Sequence, residues 1–336
     1  MAKFHINPES GNASPCHAQK GNCPFGGDDK HFSTKREAQI AFEAEQRENY
    51  LESARKQTLP QPQLAEVARD LKTPPEVLAT MAKSPNESIR RGVGHNESTP
   101  QTTLQDLAKS TNKRVRGAVA RNEAASEEIL TQLSRDPAEE VRARVAANEA
   151  SSPQLLTQLA NDESEAVLQA VATNPITTSE TLDVLANSGA INVRRAVANN
   201  SRTLPPTLFR LSKENDFSIL LSTAQNPNTP PEVLQTLAQN SDGRVRDGVA
   251  SNVNAPVSLL MELKDDVSPS VRYSVAEHRS TPQEVLDSLV HDSDLGVLEA
   301  LARNSHTSQA TRDLAKANLY KAQRSRLRRA RRFLGI

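Results

Sequence analysis

From Ile89 to Leu301 a branched apolar residue recurs every 26 residues, without a one-residue slip. One column reads Ile89, Val115, Val141, Val167, Val193, Ile219, Val245, Val271 and Val297. Four residues on, a second reads Val93, Val119, Val145, Val171, Val197, Thr223, Val249, Val275 and Leu301. A third holds Asn96, Asn122, Asn148, Asn174, Asn200, Asn226, Asn252, His278 and Asn304. Self-similarity at such a period marks a solenoid, whose units bury their apolar faces only against their neighbours. An enzymatic pocket is then not the default expectation.

Within one repeat the spacing predicts two short helices. A column of Thr73, Thr99, Ala125, Ser151, Thr177, Thr203, Thr229, Ala255, Thr281 and Thr307 is read as N-cap chemistry for the first helix. Pro74, Pro100, Pro230, Pro256 and Pro282 follow it, at the first helical position, where Pro forfeits no bond. Glu76 and Glu232 are placed to complete capping boxes. The Leu column from Leu78 to Leu286, with Met81 to Leu289 three residues later, forms an i, i+3 apolar stripe. A polar column of Ser84, Ser110, Asp136, Asp162, Ser188, Glu214, Asn240, Asp266 and Asp292 is read as ending the first helix and capping the second. The Asn column closes the unit. Two roles are open for it: the left-handed conformation that ends a helix, with Asn174-Pro175 and Asn226-Pro227 in support, or a buried ladder bonding the loop of the next unit.

These columns resemble the leucine-rich repeat variant family. Residues 229–238 and 245–252 carry the likeness best, reading Thr-Pro-Pro-Glu-Val-Leu-Gln-Thr-Leu-Ala and Val-Arg-Asp-Gly-Val-Ala-Ser-Asn. The resemblance spans roughly residues 63–312 and implies a right-handed superhelix of alternating α and shorter 3₁₀-like helices. The expected fold is therefore all-α, a right-handed α-solenoid of about nine 26-residue two-helix repeats. Such repeats serve as binding surfaces in many contexts, so the family says little about activity.

Composition agrees. With 336 residues, 36% hydrophobic and 3% aromatic, the chain lacks the large side chains of an ordinary globular core, and thin layers of Leu, Val and Ala suffice in a stack. No run is long enough to span a bilayer, and the N-terminus has no apolar signal region. The expected setting is cytoplasmic.

Residues 1–34 are a separate Cys/His-containing module with both cysteines. A segment this small needs a staple, and in a reducing cytosol metal is favoured over a disulfide. His5, Cys16, Cys23 and His31 form a Cys2His2 set suited to structural Zn; a metal-free fold docked on the first repeats and a redox role are the alternatives. Family members carry an N-terminal Cys-rich iron–sulfur module, but that takes four Cys and this chain has two. The segment also resembles a short module of actinobacterial and phage proteins, through His5-Ile6-Asn7-Pro8, Gly11, Cys16 and Cys23-Pro24-Phe25-Gly26. Residues 35–62 are predicted as a charged helix and linker, opened by a capping box of Thr34 with Glu37. Leu64, Val67 and Asp70 then supply half a repeat as the first layer.

Charge is balanced only on average. From Lys316 onward there are two Lys and six Arg with no acid, so the tail carries +8 and residues 1–315 carry −8. Residues 313–336 are predicted as a basic helix whose Lys321, Arg324, Arg326, Arg328, Arg329, Arg331 and Arg332 suit nucleic acid or another anionic surface. Capping of the last repeat, or folding back on the acidic body, are the competing uses. A second basic column, Arg90, Arg116, Arg142, Arg194, Arg246 and Arg272, is interrupted by Leu168, Leu220 and Leu298. An unbroken stripe would suit phosphate tracking; a broken one suits inter-repeat hydrogen bonds to Asp, Glu and carbonyls. The same Arg residues are the candidate contacts for a protein partner, with the Leu interruptions as apolar docking points. No catalytic constellation or phosphate loop is found. The reading is a non-enzymatic protein-binding scaffold, with a nucleic-acid-associated protein as the alternative.

Overall fold

The computed structural model describes residues 4–6, 13–15 and 32–334, with side chains as far as 324. They form two compact units, Met1–Val141 and Arg142–Ile336, each built mainly of stacked two-helix repeats.

The first unit opens on an antiparallel strand pair, Phe4–Ile6 with Ala13–Pro15. Phe4 and Phe32 exchange both backbone hydrogen bonds at 2.9 Å, which ties this pair to the start of the helix Lys35–Arg55. The predicted capping box is present there: the Glu37 N–H donates to Thr34 Oγ1 at 3.1 Å, and the Glu37 carboxylate accepts from the Thr34 N–H at 3.2 Å. Gln61–Val67 supplies the first half-repeat, with Leu64 and Val67 buried. Full repeats follow, as in Pro75–Met81 with Glu87–His95 and Gln101–Leu107 with Lys113–Ala120. The second unit continues the pattern from Pro153–Leu159 with Glu165–Thr173 to Gln283–Leu289 with Leu295–Arg303. It ends on the long helix Gln309–Leu334. Both helices of a repeat are α-helical, seven residues and mostly nine, so the implied 3₁₀-like member does not occur among the described repeats.

Burial follows the columns. The Leu column from Leu78 to Leu286 and both branched columns from Ile89 to Leu301 are all fully buried. Seven residues give only two turns, too few to be stable alone. These helices hold through that packing. Thr223 is the one member of the branched columns with a hydroxyl, and its Oγ1 has no hydrogen-bond partner among the described residues. A buried unsatisfied hydroxyl costs about 1–3 kcal/mol. Thr223→Val is therefore expected to raise stability by about 1 kcal/mol, read as a higher urea midpoint; an unchanged or lower midpoint would contradict this account of the column.

Helix starts fall one residue later than the sequence reading placed them. Pro74, Pro100, Pro230, Pro256 and Pro282 are N-caps, with φ between −58° and −62° and ψ between 142° and 149°. Fixed φ suits Pro to this extended position. Ser126, Ser152 and Thr178 occupy the same place and accept the N–H of the third helical residue. Glu76 and Glu232 thus lie at the second helical position, one short of a capping box, and contribute only as acids in the first turn. The Thr column is buried instead. Thr73, Thr99, Ser151, Thr177, Thr203, Thr229 and Thr281 each donate to the carbonyl six residues back, as in Thr99 Oγ1 to Val93 O at 2.7 Å. They satisfy the end of the preceding helix, not the start of the next.

The polar column likewise lies two residues before the cap of the second helix. Its side chains accept the N–H two residues on, as Asp162 does from Ser164 at 2.9 Å and Asp292 from Asp294 at 2.8 Å. The helix cap itself is the residue two further on from the column, such as Asn86, Asn112, Asp242 or Asp294.

Candidate functional site

Within each unit two side-chain ladders join successive repeats. The first is built from the Asn column. These residues have φ between −63° and −77° and extended ψ, and Gln57 is the only non-glycine with positive φ among the described residues. The left-handed reading is thereby corrected in favour of the ladder, and the ladder runs to the preceding repeat. Asn122 Nδ2 donates to Gly94 O at 3.0 Å and Asn96 O at 2.9 Å; Asn200 Nδ2 donates to Ala172 O at 2.8 Å and Asn174 O at 3.1 Å. Each Oδ1 accepts the N–H two residues on, as Asn200 does from Arg202 at 2.9 Å. The last carbonyls of a helix have no partner inside it. One Asn therefore satisfies two of them in its neighbour and turns its own chain.

His278 takes the same place with a different side chain. Its Nε2 lies 2.9 Å from Asn252 O and its Nδ1 accepts the Ser280 N–H at 3.1 Å, which assigns the proton to Nε2. Burial holds its pKa below the ordinary value near 6.5; the Asn252 carbonyl works against this, and Arg279 adds to it. The unfolded chain therefore takes up the proton first as pH falls. The stability that neutral His278 confers is full above about pH 6.5 and is lost from there down through the folded-state pKa. His278→Asn is expected to flatten the fall in the urea midpoint between about pH 7 and pH 5. Parallel curves for the two proteins would show that this ring does not set the slope.

The second ladder is the Arg column. Arg116 grips Asp136 through Nε at 2.5 Å and Nη2 at 2.8 Å, and Arg142 grips Asp162 at 2.6 and 2.9 Å. Arg194 holds Glu214, Arg246 holds Asp266 and Arg272 holds Asp292 in the same two-pronged way. The third nitrogen, Nη1, donates to the carbonyl six residues back: Ser110 O for Arg116, Ser188 O for Arg194, Asn240 O for Arg246 and Asp266 O for Arg272. The five guanidinium side chains are only 13–18% exposed. The Arg142 fork holds the Asp162 carboxyl below its ordinary pKa. Burial pushes Asp266 and Asp292 upward, but Arg246 and Arg272, together with the backbone N–H groups of Ser268 and Asp294, outweigh it.

The interruptions now make sense. Every two-pronged Arg of this column has an acid 20 residues on. Leu168, Leu220 and Leu298 stand where that position is Ser188, Asn240 or Asn318. Leu220 and Leu298 are buried in the core and Leu168 is half-buried, so they are packing residues, not exposed docking points. An Arg without an acid would leave a desolvated charge, and Leu removes the need. This alternation is in the sequence and could have disclosed the acids, which the sequence reading assigned to caps. Arg90 is the exception, with Ser110 at the acid position.

Other candidates scatter. Cys16, Cys23 and His31 lie outside the described residues, as does the side chain of His5, whose backbone is in the first strand. Among the described residues no three His, Cys, Asp or Glu side chains gather as a metal site. In the last helix Lys321 and Arg324 are exposed, and the Arg324 guanidinium lies 5.6 Å from the centre of the Tyr320 ring. The side chains of Arg326, Arg328, Arg329, Arg331 and Arg332 lie outside the described residues. Earlier in this helix Ala315 is fully buried, Leu319 packs against the core of the second unit and Asn318 Nδ2 donates to Val290 O at 2.9 Å. This part caps the last repeat. No described helix is long and apolar enough to cross a membrane.

A pair of columns on the first helices faces outward, Thr157, Asp183, Phe209, Gln235, Met261 and Asp287 in one, and Gln158, Val184, Arg210, Thr236, Glu262 and Ser288 beside it. All but half-buried Asp183 are exposed, and their chemistry changes from repeat to repeat. Phe209 is 46%, Met261 42% and Val184 60% exposed.

Ladders and layers of this kind define an all-α repeat solenoid. No family profile matches the chain, and no curated protein matches it. Among solved structures it is similar to a leucine-rich repeat variant with a novel repetitive structural motif, at 23% identity over 63% of this chain and 84% of that one, with a TM-score of 0.48. It is also similar to importin beta (14% identity, 80% and 42% covered, TM-score 0.28) and to a designed armadillo repeat protein (18%, 73% and 98%, 0.17).

Proposed function

We propose that the chain is a non-enzymatic scaffold that binds a protein segment along the exposed face of its first helices. One observation carries this reading: the Asn, Thr and paired Arg columns are consumed inside the stack, while the outward columns differ from repeat to repeat and hold half-exposed Phe209, Met261 and Val184. A surface with a fixed pitch and individual chemistry at each step suits an extended partner. The Cys/His set at one end is proposed to hold one structural zinc, and the setting proposed is the cytoplasm.

Capture of a protein by the full chain tests this. Retention is expected to survive high salt and to be lost in Phe209→Glu with Met261→Glu, while far-ultraviolet circular dichroism stays unchanged. Affinity for a short duplex that falls steeply with salt, by roughly 0.7–0.9 in log slope per neutralised phosphate, and that disappears on removal of residues 321–336 would favour the nucleic-acid reading instead. Metal analysis of the same preparation is expected to find about one zinc per chain, lost in Cys16→Ser.

A further inference from the structure

The Arg ladder of the first unit has one rung without its acid. Arg90 Nη1 donates to Ser84 O at 2.6 Å, the same anchor, six residues back, that poses the paired arginines. Its Nε and Nη2, the edge that grips a carboxylate in the other rungs, have no partner among the described residues. Twenty residues on stands Ser110 in place of an acid. Between them lies a pocket of about 440 Å³, lined by Arg90, Ser110, Thr103, Lys83 and Asp106 among others. Two cations and one carboxylate therefore line it.

The corresponding pocket at the Arg272 rung, of about 410 Å³, is lined by Asp265, Asp266 and Asp292 against Lys264 and Arg272. There the fork is closed by Asp292 at 2.6 and 2.9 Å. Elsewhere in the column the chain places Leu where the acid is missing. Only at this rung does it keep the guanidinium, posed and half-buried, and leave the space beside it open. Planar two-donor geometry selects a carboxylate over a point acceptor.

We propose that the Arg90 rung is a binding site for a carboxylate from outside the chain, an Asp or Glu side chain of a bound protein segment that completes the rung as Asp136 does for Arg116. The protein source of that carboxylate rests on the scaffold reading above. Ser110 and Thr103 border the same space with short hydroxyl side chains, which leave room for the incoming group. Lys83 offsets Asp106, so the pocket keeps a net positive lining.

The test follows the Arg Nε–Hε resonances of the intact, ¹⁵N-labelled chain during titration with a blocked pentapeptide, acetyl-Gly-Ala-Glu-Ala-Gly-amide, and its Gln counterpart. The Arg90 signal is expected to shift saturably with the Glu peptide, at about tenfold lower concentration than with the Gln peptide, while the five paired arginines stay still. Ser110→Asp supplies the missing acid; it is expected to abolish the shift and raise the melting temperature by about 1–3 °C. Arg90→Leu reproduces the Leu168 and Ser188 rung that the chain already folds with, and is expected to lose the response while keeping the fold. Equal shifts with both peptides, a shift that survives Ser110→Asp, or a silent Arg90 would each overturn the proposal. A silent Arg90 in a chain that still captures its protein partner through Phe209 and Met261 overturns the rung alone. An intact Arg90 response with no protein capture overturns the scaffold reading alone.

Discussion

Arg246→Leu is expected to destabilise the chain by about 2–3 kcal/mol, whereas Arg246→Leu combined with Asp266→Asn is expected to cost less than about 1 kcal/mol. Asp266 is 7% exposed and its partner 13%. Removing the guanidinium alone leaves a desolvated carboxylate with only the Ser268 N–H at 2.8 Å to hold it. The double replacement recreates the rung formed by Leu220 and Asn240, where Asn240 Oδ1 still accepts the Asp242 N–H at 2.9 Å. Urea unfolding of the single and double variants provides the cycle. Equal losses in both would mean that Arg246 stabilises by its packing and not as half of a pair. Acid is a second handle on the same bonds. The depressed carboxyls of Asp162, Asp266 and Asp292 confer stability that is present above their unfolded pKa near 3.8 and lost as pH falls through the lower folded value.

Asn174→Ala is expected to be the more damaging of two Asn truncations, at about 2–4 kcal/mol, against less than about 0.5 for Asn161→Ala. Asn174 is 3% exposed. Its Nδ2 satisfies Ala146 O at 2.8 Å and Asn148 O at 3.1 Å, and its Oδ1 accepts the Ile176 N–H at 3.0 Å. Truncation removes these bonds from buried Ala146 O and from the part-buried Ile176 N–H, and leaves Asn148 O with only the Ser151 N–H at 3.1 Å. Asn161 is exposed, with one long bond to Thr157 O at 3.3 Å. Comparable costs at the two sites would show that solvent reaches the ladder.

Both ladders show what a periodic sequence hides. The layers were legible because an apolar residue that recurs at helical spacing has one use, burial. A recurring polar residue has two, since a bond inside its own repeat and a bond to the next repeat leave the same 26-residue trace. Thr99 was read as capping the helix after it and in fact serves Val93 behind it. Asn122 fits both a turn former and a ladder on its sequence pattern, and reaches 26 and 28 residues back. The Thr34 and Glu37 box, which lies outside the repeats, was read correctly because its partners are three residues apart and nothing competes with the local reading. Where a column varies, as Arg and Leu do, the partner varies with it, and Ser188, Asn240 and Asn318 mark that covariation within one chain. The outward columns of the candidate surface were missed for a related reason: they lack a pattern, and only burial distinguishes a free position from a spent one.

The two ladders point in opposite directions along the chain, Asn backward and Arg forward, and this bears on how such a protein can grow or shrink by gene rearrangement. Excising a whole 26-residue module keeps every column in phase, yet it does not keep every rung. Loss of residues 247–272 would bring Asp292 to the position that Asp266 held for Arg246, and the rung would close. Loss of residues 195–220 would bring Asn240 opposite Arg194 and leave that guanidinium without an acid. Modules of identical length are thus not interchangeable. Each inherits a charge requirement from the one before it, so the number of repeats can change only at those junctions where the donor and the new acceptor match.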